Sequence, residues 1–106
     1  MIAHNVYFTL RDDSAESRTD FASSCAEYLG QIPGIVYFAT GTRAEEYQRE
    51  VNDLEFHVGL HVILQDRDAH DVYQVHERHL AFIEANQAKW AAVRVFDSEV
   101  EGGPLA

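Results

Sequence analysis

The sequence predicts one α+β domain of the ferredoxin-like βαββαβ type, with a four-stranded antiparallel sheet and both helices on one face. Three observations lead to this class. Four segments have strand-like alternation or composition, two have the apolar spacing of helices, and they follow one another in that order. The 106 residues suit a single domain, which we expect to span residues 1–100 and to end in a flexible tail at 101–106.

The first strand and the first helix have the clearest patterns. Residues 2–10 alternate, and the apolar parity of this strand includes His4. An amphipathic helix is expected over about residues 14–29, closed by Gly30. Its buried stripe contains Cys25, the single cysteine, which we interpret as a small inert hydrophobic residue.

The other elements follow from shorter patterns. Strand-forming residues at 35–40 predict the second strand, and alternation over 56–64 predicts the third. The charged, weakly patterned segment 41–53 between them is expected to be a loop with at most one helical turn. A second helix is expected from about 66 to 87, and a short fourth strand at 93–96.

Three histidines are expected in the layer between the sheet and the helices. A helical projection of the second helix centred on Val72 puts His76 and His79 on the buried stripe. The same projection puts His70 on the solvent side. His4 reaches this layer from the first strand, so His4, His76 and His79 are the candidate chemical groups.

Charge and composition exclude several classes of partner. Eighteen acidic against eight basic residues give a net charge of −10, which disfavours nucleic acid and anionic membranes. The sequence shows neither an apolar run long enough to span a bilayer nor a signal-peptide pattern. A single cysteine fits a reducing compartment, so we expect a cytoplasmic protein.

The face of the sheet opposite the helices is too apolar to face water comfortably. It is expected to carry Tyr7, His57, His61 and Ile63. A second copy of the same sheet would cover it, so we expect a homodimer.

Four motifs resemble those of the stress-responsive A/B barrel (Dabb) family. The segment Tyr73-Gln74-Val75-His76-Glu77-Arg78-His79-Leu80-Ala81-Phe82 looks like its Y-x-x-H-P-x-H-x-x-F signature, with Glu77 in place of the proline. The strand-one His4, the Ile32-Pro33-Gly34 turn and the block from Phe56 to His61 also fit, in order, over about residues 3–98. The resemblance implies a dimeric α+β barrel, and it leaves open how Glu77 affects the direction of His79.

The functional implications of the resemblance are less specific. Plant members are linked to stress response, and one member, olivetolic acid cyclase, closes a linear polyketide by aldol condensation without a cofactor. By that resemblance His79 would be the general base, Tyr73 would orient it or hold the substrate, and His4 would bind a carbonyl oxygen. His76, Phe82 and Val58 are the expected ligand-pocket residues.

Three interpretations remain open at this level. The first is a homodimer that binds a small organic ligand between sheet and helices, without an assigned reaction. The second is a cofactor-free enzyme of the polyketide cyclase, isomerase or monooxygenase type that uses His79. The third is a purely structural dimer whose histidines only satisfy hydrogen bonds in the core.

No cofactor and no metal are expected. His76 and His79, three residues apart, could share an ion with His4. No acidic residue shares their predicted stripe, so the sequence favours hydrogen-bonding histidines over a metal centre.

Overall fold

The computed structural model describes residues 1–105 and contains the predicted four strands with helices on one face. The elements run in the order β1 (Ile2–Leu10), α1 (Ala15–Leu29), β2 (Ile35–Thr42), β3 (Val58–Leu64), α2 (Arg67–Val75), α3 (Glu77–Asn86), a 3₁₀ turn (Gln87–Lys89) and β4 (Trp90–Glu99). The strands lie in the order β2-β3-β1-β4, and every neighbouring pair is antiparallel. The ferredoxin-like fold class is confirmed.

The core lies between the sheet and the helices. β1 and β3 are the two central strands. The apolar side chains that recur every fourth residue in α1 pack against these strands. The buried side chains of this layer include Val6, Phe8, Phe21, Cys25, Leu29, Val58, Leu60, Val62, Leu64, Tyr73 and Phe82. Burial raises the pKa of the Cys25 thiol to about 12, so it stays protonated and unreactive at neutral pH.

Local signals set the ends of α1 as the sequence predicts. Ser14 is the N-cap, and its side chain accepts a hydrogen bond from the Ser17 amide. Gly30 is the C-cap in a right-handed conformation, and its amide donates to the Ala26 carbonyl.

A glycine turn sets how closely α2 approaches the start of β2. Gly34 has a φ of +95°, a region that favours glycine. A Cβ at this position would lie 2.8 Å from the Cβ of Ala69 in α2. The Gly34 carbonyl also accepts a hydrogen bond from the Gln65 amide, just before α2 begins.

The second helix is not continuous, which corrects the prediction of one helix over 66–87. His76 is extended, with φ −62° and ψ 141°, and it separates α2 from α3. Its side chain caps α3 by accepting a hydrogen bond from the Arg78 amide at 3.1 Å. The helix therefore breaks here with Glu77, and not proline, as the next residue.

The break also changes which side chains are buried. Val72, on which the predicted buried stripe is centred, is exposed in α2, and so is Val75, whereas Tyr73 is fully buried. His70, expected in solvent, is half-buried. The projection failed because it carried one helical phase through His76, where the backbone leaves the helix.

Other differences are small. β4 extends from residue 90 to 99, beyond the expected 93–96, and segment 43–57 is a loop with isolated turns. Residues 101–105 form neither helix nor strand, and Ala106 lies outside the described residues, so the flexible tail stays a prediction. No helix within residues 1–105 is long and apolar enough to cross a bilayer.

Candidate functional site

A cavity of about 180 Å³ lies between α3, the end of α2 and the strands β1 and β4. Its apolar lining consists of Val6, Phe8, Leu29, Leu60, Phe82, Ile83, Val93 and Val95, and its polar lining consists of His4, Tyr73, Gln74, His79 and Trp90. Val93 and Val95 are partly exposed on the edge strand β4, so the cavity reaches the surface along this edge.

Three buried polar atoms of the cavity residues have no hydrogen-bond partner. They are the Tyr73 hydroxyl, the Nδ1 atom of His79 and the indole Nε1 of Trp90. Only one further unpartnered buried side-chain atom, the Thr40 hydroxyl, occurs between Met1 and Leu105. Buried polar groups without partners cost free energy, so their concentration in one cavity indicates a place where a polar ligand or water binds.

Tyr73 and His79 form the chemical centre of the cavity. Their ring centroids lie 4.9 Å apart, although one belongs to α2 and the other to the first turn of α3. Burial raises the pKa of the Tyr73 phenol well above its ordinary value, so the hydroxyl remains a donor. Burial, and then the neighbouring His4, lower the pKa of His79, and the nearby Gln74 backbone offsets part of this shift. His79 is therefore neutral near pH 7.

His4 in β1 lines the cavity, and a contact with Asp97 fixes its ring. Its ring lies edge-on to Tyr73, with centroids 5.5 Å apart. Its Nδ1 atom lies 2.6 Å from the Oδ1 atom of Asp97 in β4. Because Nδ1 is engaged by the carboxylate, Nε2 is the nitrogen left for a ligand in the cavity.

The predicted pocket residues are only partly brought together. Phe82 lines the cavity, as do the three predicted catalytic residues His4, Tyr73 and His79. His76 does not line it, because this residue forms the break between α2 and α3. Val58 is fully buried but lies in the main core beyond the cavity lining.

Several residues at the cavity were missed by the sequence analysis. Val93 and Val95 pair with Phe8 and Val6 of β1, so they lie on the same face of the sheet as those core residues. Pairing the first strand with the fourth in the sequence could have predicted this position. Trp90 and Asp97 lie outside the strand expected at 93–96, so neither received a position in the sheet.

The remaining histidines are not at the cavity. His57 accepts a hydrogen bond from the Leu10 amide at 2.9 Å. His61 lies on the sheet face away from the helices, where its Nδ1 is 2.8 Å from the side-chain oxygen of Asn5. Tyr7 and Ile63 lie on the same face, as expected.

Comparison with known proteins identifies the family. The family model described as the Stress Responsive A/B Barrel Domain matches residues 2–100. No curated protein has a sequence that matches the chain.

Solved structures share the fold at low sequence identity. A Dabb family protein with a ferredoxin-like fold from Mesorhizobium loti is 22% identical, with a TM-score of 0.75 over 95% of this chain and 97% of that one. A dimeric ferredoxin-like protein of unknown function from Thermobifida fusca is 16% identical, with a TM-score of 0.75 over 93% and 90%. A hydroxynitrile lyase from Passiflora edulis is 13% identical, with a TM-score of 0.73 over 97% and 96%.

Proposed function

Because this chain belongs to the stress responsive A/B barrel domain family, we propose that it is a homodimer that binds a small organic ligand in the cavity between its sheet and helices. The observation that carries this proposal is the set of unpartnered atoms on Tyr73, His79 and Trp90. No specific reaction is part of the proposal. The stress-related role and the cytoplasmic location stay predictions.

The cavity favours a compact ligand with one ring. Its volume of about 180 Å³ is below the range of about 300–1,000 Å³ for drug-sized ligands. An apolar cavity of about 150 Å³ accommodates benzene. A phenol-sized molecule would fill the apolar lining, and its hydroxyl oxygen could accept a hydrogen bond from Tyr73 or Trp90 while its O–H donates one to His79.

The homodimer is supported by the face of the sheet that the helices leave open. The register places Tyr7, His61 and Phe96 on this face, and Phe96 is 50% exposed. The Thermobifida fusca protein is described as dimeric. Two such sheets packed face to face would give the barrel after which the family is named.

Ligand binding can be tested with a panel of monocyclic phenols and ketones. We expect saturable quenching of Trp90, the single tryptophan, together with a higher melting temperature. Val93→Phe, at the exposed edge of the cavity, should weaken binding at least tenfold. Val72→Phe is the matched control, because Val72 is exposed outside the cavity. Binding that is absent across the panel, or unaffected by Val93→Phe, would contradict the proposal.

A second candidate function is cofactor-free acid–base catalysis. It is favoured by one observation, the 4.9 Å separation of the His79 and Tyr73 rings in the cavity, where burial lowers the pKa of the imidazole and raises that of the phenol. In such a reaction His79 would take a proton from a carbon next to a carbonyl, and Tyr73 or His4 would stabilise the oxygen. The fold is shared with a lyase, but at 13% identity that likeness concerns the fold alone.

Catalysis and binding can be separated by one substitution. His79→Ala should abolish any turnover found in a carbonyl-compound screen while the oligomeric state stays unchanged. Tyr73→Phe keeps the ring and removes only the hydroxyl, so it tests the oxygen-stabilising role. Turnover that survives His79→Ala would exclude His79 as the base and overturn this mechanism.

A further inference from the structure

We propose that His4, His70 and Asp97 bind a first-row transition-metal ion such as Zn²⁺, at the edge of the sheet where α2 lies over β1 and β4. The inference does not rest on the proposed ligand. It concerns the far side of His4 from the cavity, where the sequence analysis expected no metal.

The three side chains come from three different elements. His4 and Asp97 are partners in the β1–β4 register, so both project from the same face of the sheet. α2 brings His70 over this face, with its ring centroid 5.5 Å from that of His4. One ligand atom from each of the three residues can be chosen so that all lie within 4.8 Å of one another.

The separations are close to those a bound ion requires. Nδ1 of His4 lies 2.6 Å from one oxygen of Asp97, and Nε2 of His70 lies 3.8 Å from the other. Ligand atoms about 2.1 Å from a tetrahedral ion lie about 3.4 Å apart. Both distances are within about 1 Å of that value, which side-chain rotation can supply.

The set of donors is typical of transition metals. Two imidazoles and one carboxylate bind Zn²⁺ in catalytic sites and Fe²⁺ in oxygenases, and imidazole is a poor ligand for Mg²⁺ or Ca²⁺. The second nitrogen of His70 also has a suitable partner, since Nδ1 lies 3.3 Å from the Asp71 carboxylate. Metal-binding histidines commonly donate their other N–H to such a group.

Burial and charge allow an ion to enter. His4 is 5% exposed at the inner end, whereas the side chain of Asp97 is 44% exposed at the outer end. A water molecule could therefore complete the coordination from solvent. The side chain of Gln74, whose Nε2 is 3.4 Å from Nε2 of His70, would have to turn aside. The net charge of −10 attracts cations to the surface in general.

Isothermal titration of the metal-free protein with ZnCl₂ tests the proposal. We expect one ion per chain, and at least tenfold weaker binding for His70→Gln and for Asp97→Asn. His76→Asn and Glu99→Gln are the matched controls. The first removes a histidine but keeps a helix-capping side chain, and the second removes an acid two residues from Asp97 on the same strand. Both controls should bind as the wild type does.

Titration with Co²⁺ gives a second, spectroscopic readout that does not depend on calorimetry. The visible absorption of four-coordinate Co²⁺ should appear in the wild type and be lost in His70→Gln. Circular dichroism of each metal-free variant checks that it is folded, and His70 lies outside the hydrophobic core cluster, so its replacement should not unfold the chain. Absence of saturable Zn²⁺ binding, full binding by either ligand variant, or equal loss in a control would overturn the assignment.

Discussion

The rings of Tyr73 and His79 lie 4.9 Å apart, although these residues are six positions apart in the sequence. On one continuous helix, six positions would turn the two side chains about 120° away from each other. His76 is extended, so α2 ends there and α3 begins in a different orientation. This change of direction brings the two side chains to the same side. The break between two short helices is therefore what places both side chains in one cavity.

Glu77→Pro should leave the fold intact and raise the free energy of unfolding by about 0.4–1 kcal/mol. Glu77 is the first residue of α3, where proline is well tolerated, and His76 already has the extended conformation that a following proline favours. Urea denaturation would measure the change. Glu84→Pro, inside the same helix, is the control and should cost about 3 kcal/mol or more. A destabilised Glu77→Pro variant would show that its amide is needed.

Asp97→Ala should lower the free energy of unfolding by about 1–3 kcal/mol, because it leaves the buried His4 imidazole without its 2.6 Å partner. Glu99→Ala is the comparison. Glu99 pairs with Arg67 at the surface, so its loss should change stability by less than about 0.5–1 kcal/mol. Chemical denaturation of both variants in metal-free buffer decides the matter. Equal effects would mean that the His4–Asp97 contact contributes nothing beyond a surface pair.

The stability of the protein should fall as the pH drops below about 6.5, in part because of His79. Burial lowers the pKa of His79 in the folded state, so the unfolded chain binds more protons between that lowered value and 6.5. The His79 contribution is complete above 6.5 and is lost as the pH falls toward the folded-state value. His79→Gln should flatten this part of the stability curve, measured by denaturation at several pH values. An unchanged slope would show that His79 protonates freely in the folded state.

Phe96→Glu should convert the proposed dimer into a monomer. Phe96 is half exposed on the open sheet face, with its ring 5.8 Å from that of Tyr7, and a carboxylate there would be buried between two sheets. Sedimentation should give twice the 12.0 kDa chain mass for the wild type and the single mass for the variant. Val75→Glu, on the exposed side of α2, should stay dimeric. A monomeric wild type at micromolar concentration would refute the dimer.

The fold could be predicted because its strands and α1 carry strong periodic patterns. Val6 and Phe8, which alternate along β1, are buried in the core as the strand pattern predicts. The side chains that recur every fourth residue in α1, Phe21, Cys25 and Leu29, are buried there too. Tyr73 and His79 could be placed at one cavity with His4 because the family resemblance includes the motif at 73–82 and the strand-one histidine.

The positions of His70, His76 and Asp97 could not be predicted in the same way. The helix breaks at His76, where the histidine side chain caps α3. Glu77 and Arg78 are common in helices, so the sequence gives no signal for a break at this point. The helical projection assumed one continuous helix without this break, so it placed His70 on the solvent side, whereas His70 is half-buried. Asp97 acquires its contact with His4 only through the β1–β4 register, which a single sequence does not specify.

The cap on α3 makes the shape of the cavity depend on a residue outside it. His76 accepts the Arg78 amide hydrogen on a ring nitrogen and so satisfies one of the free amides at the start of the helix. Without this side chain the first turn of α3, which carries His79, would lose its cap. The position of the imidazole in the cavity is thus set in part by a histidine that does not line the cavity.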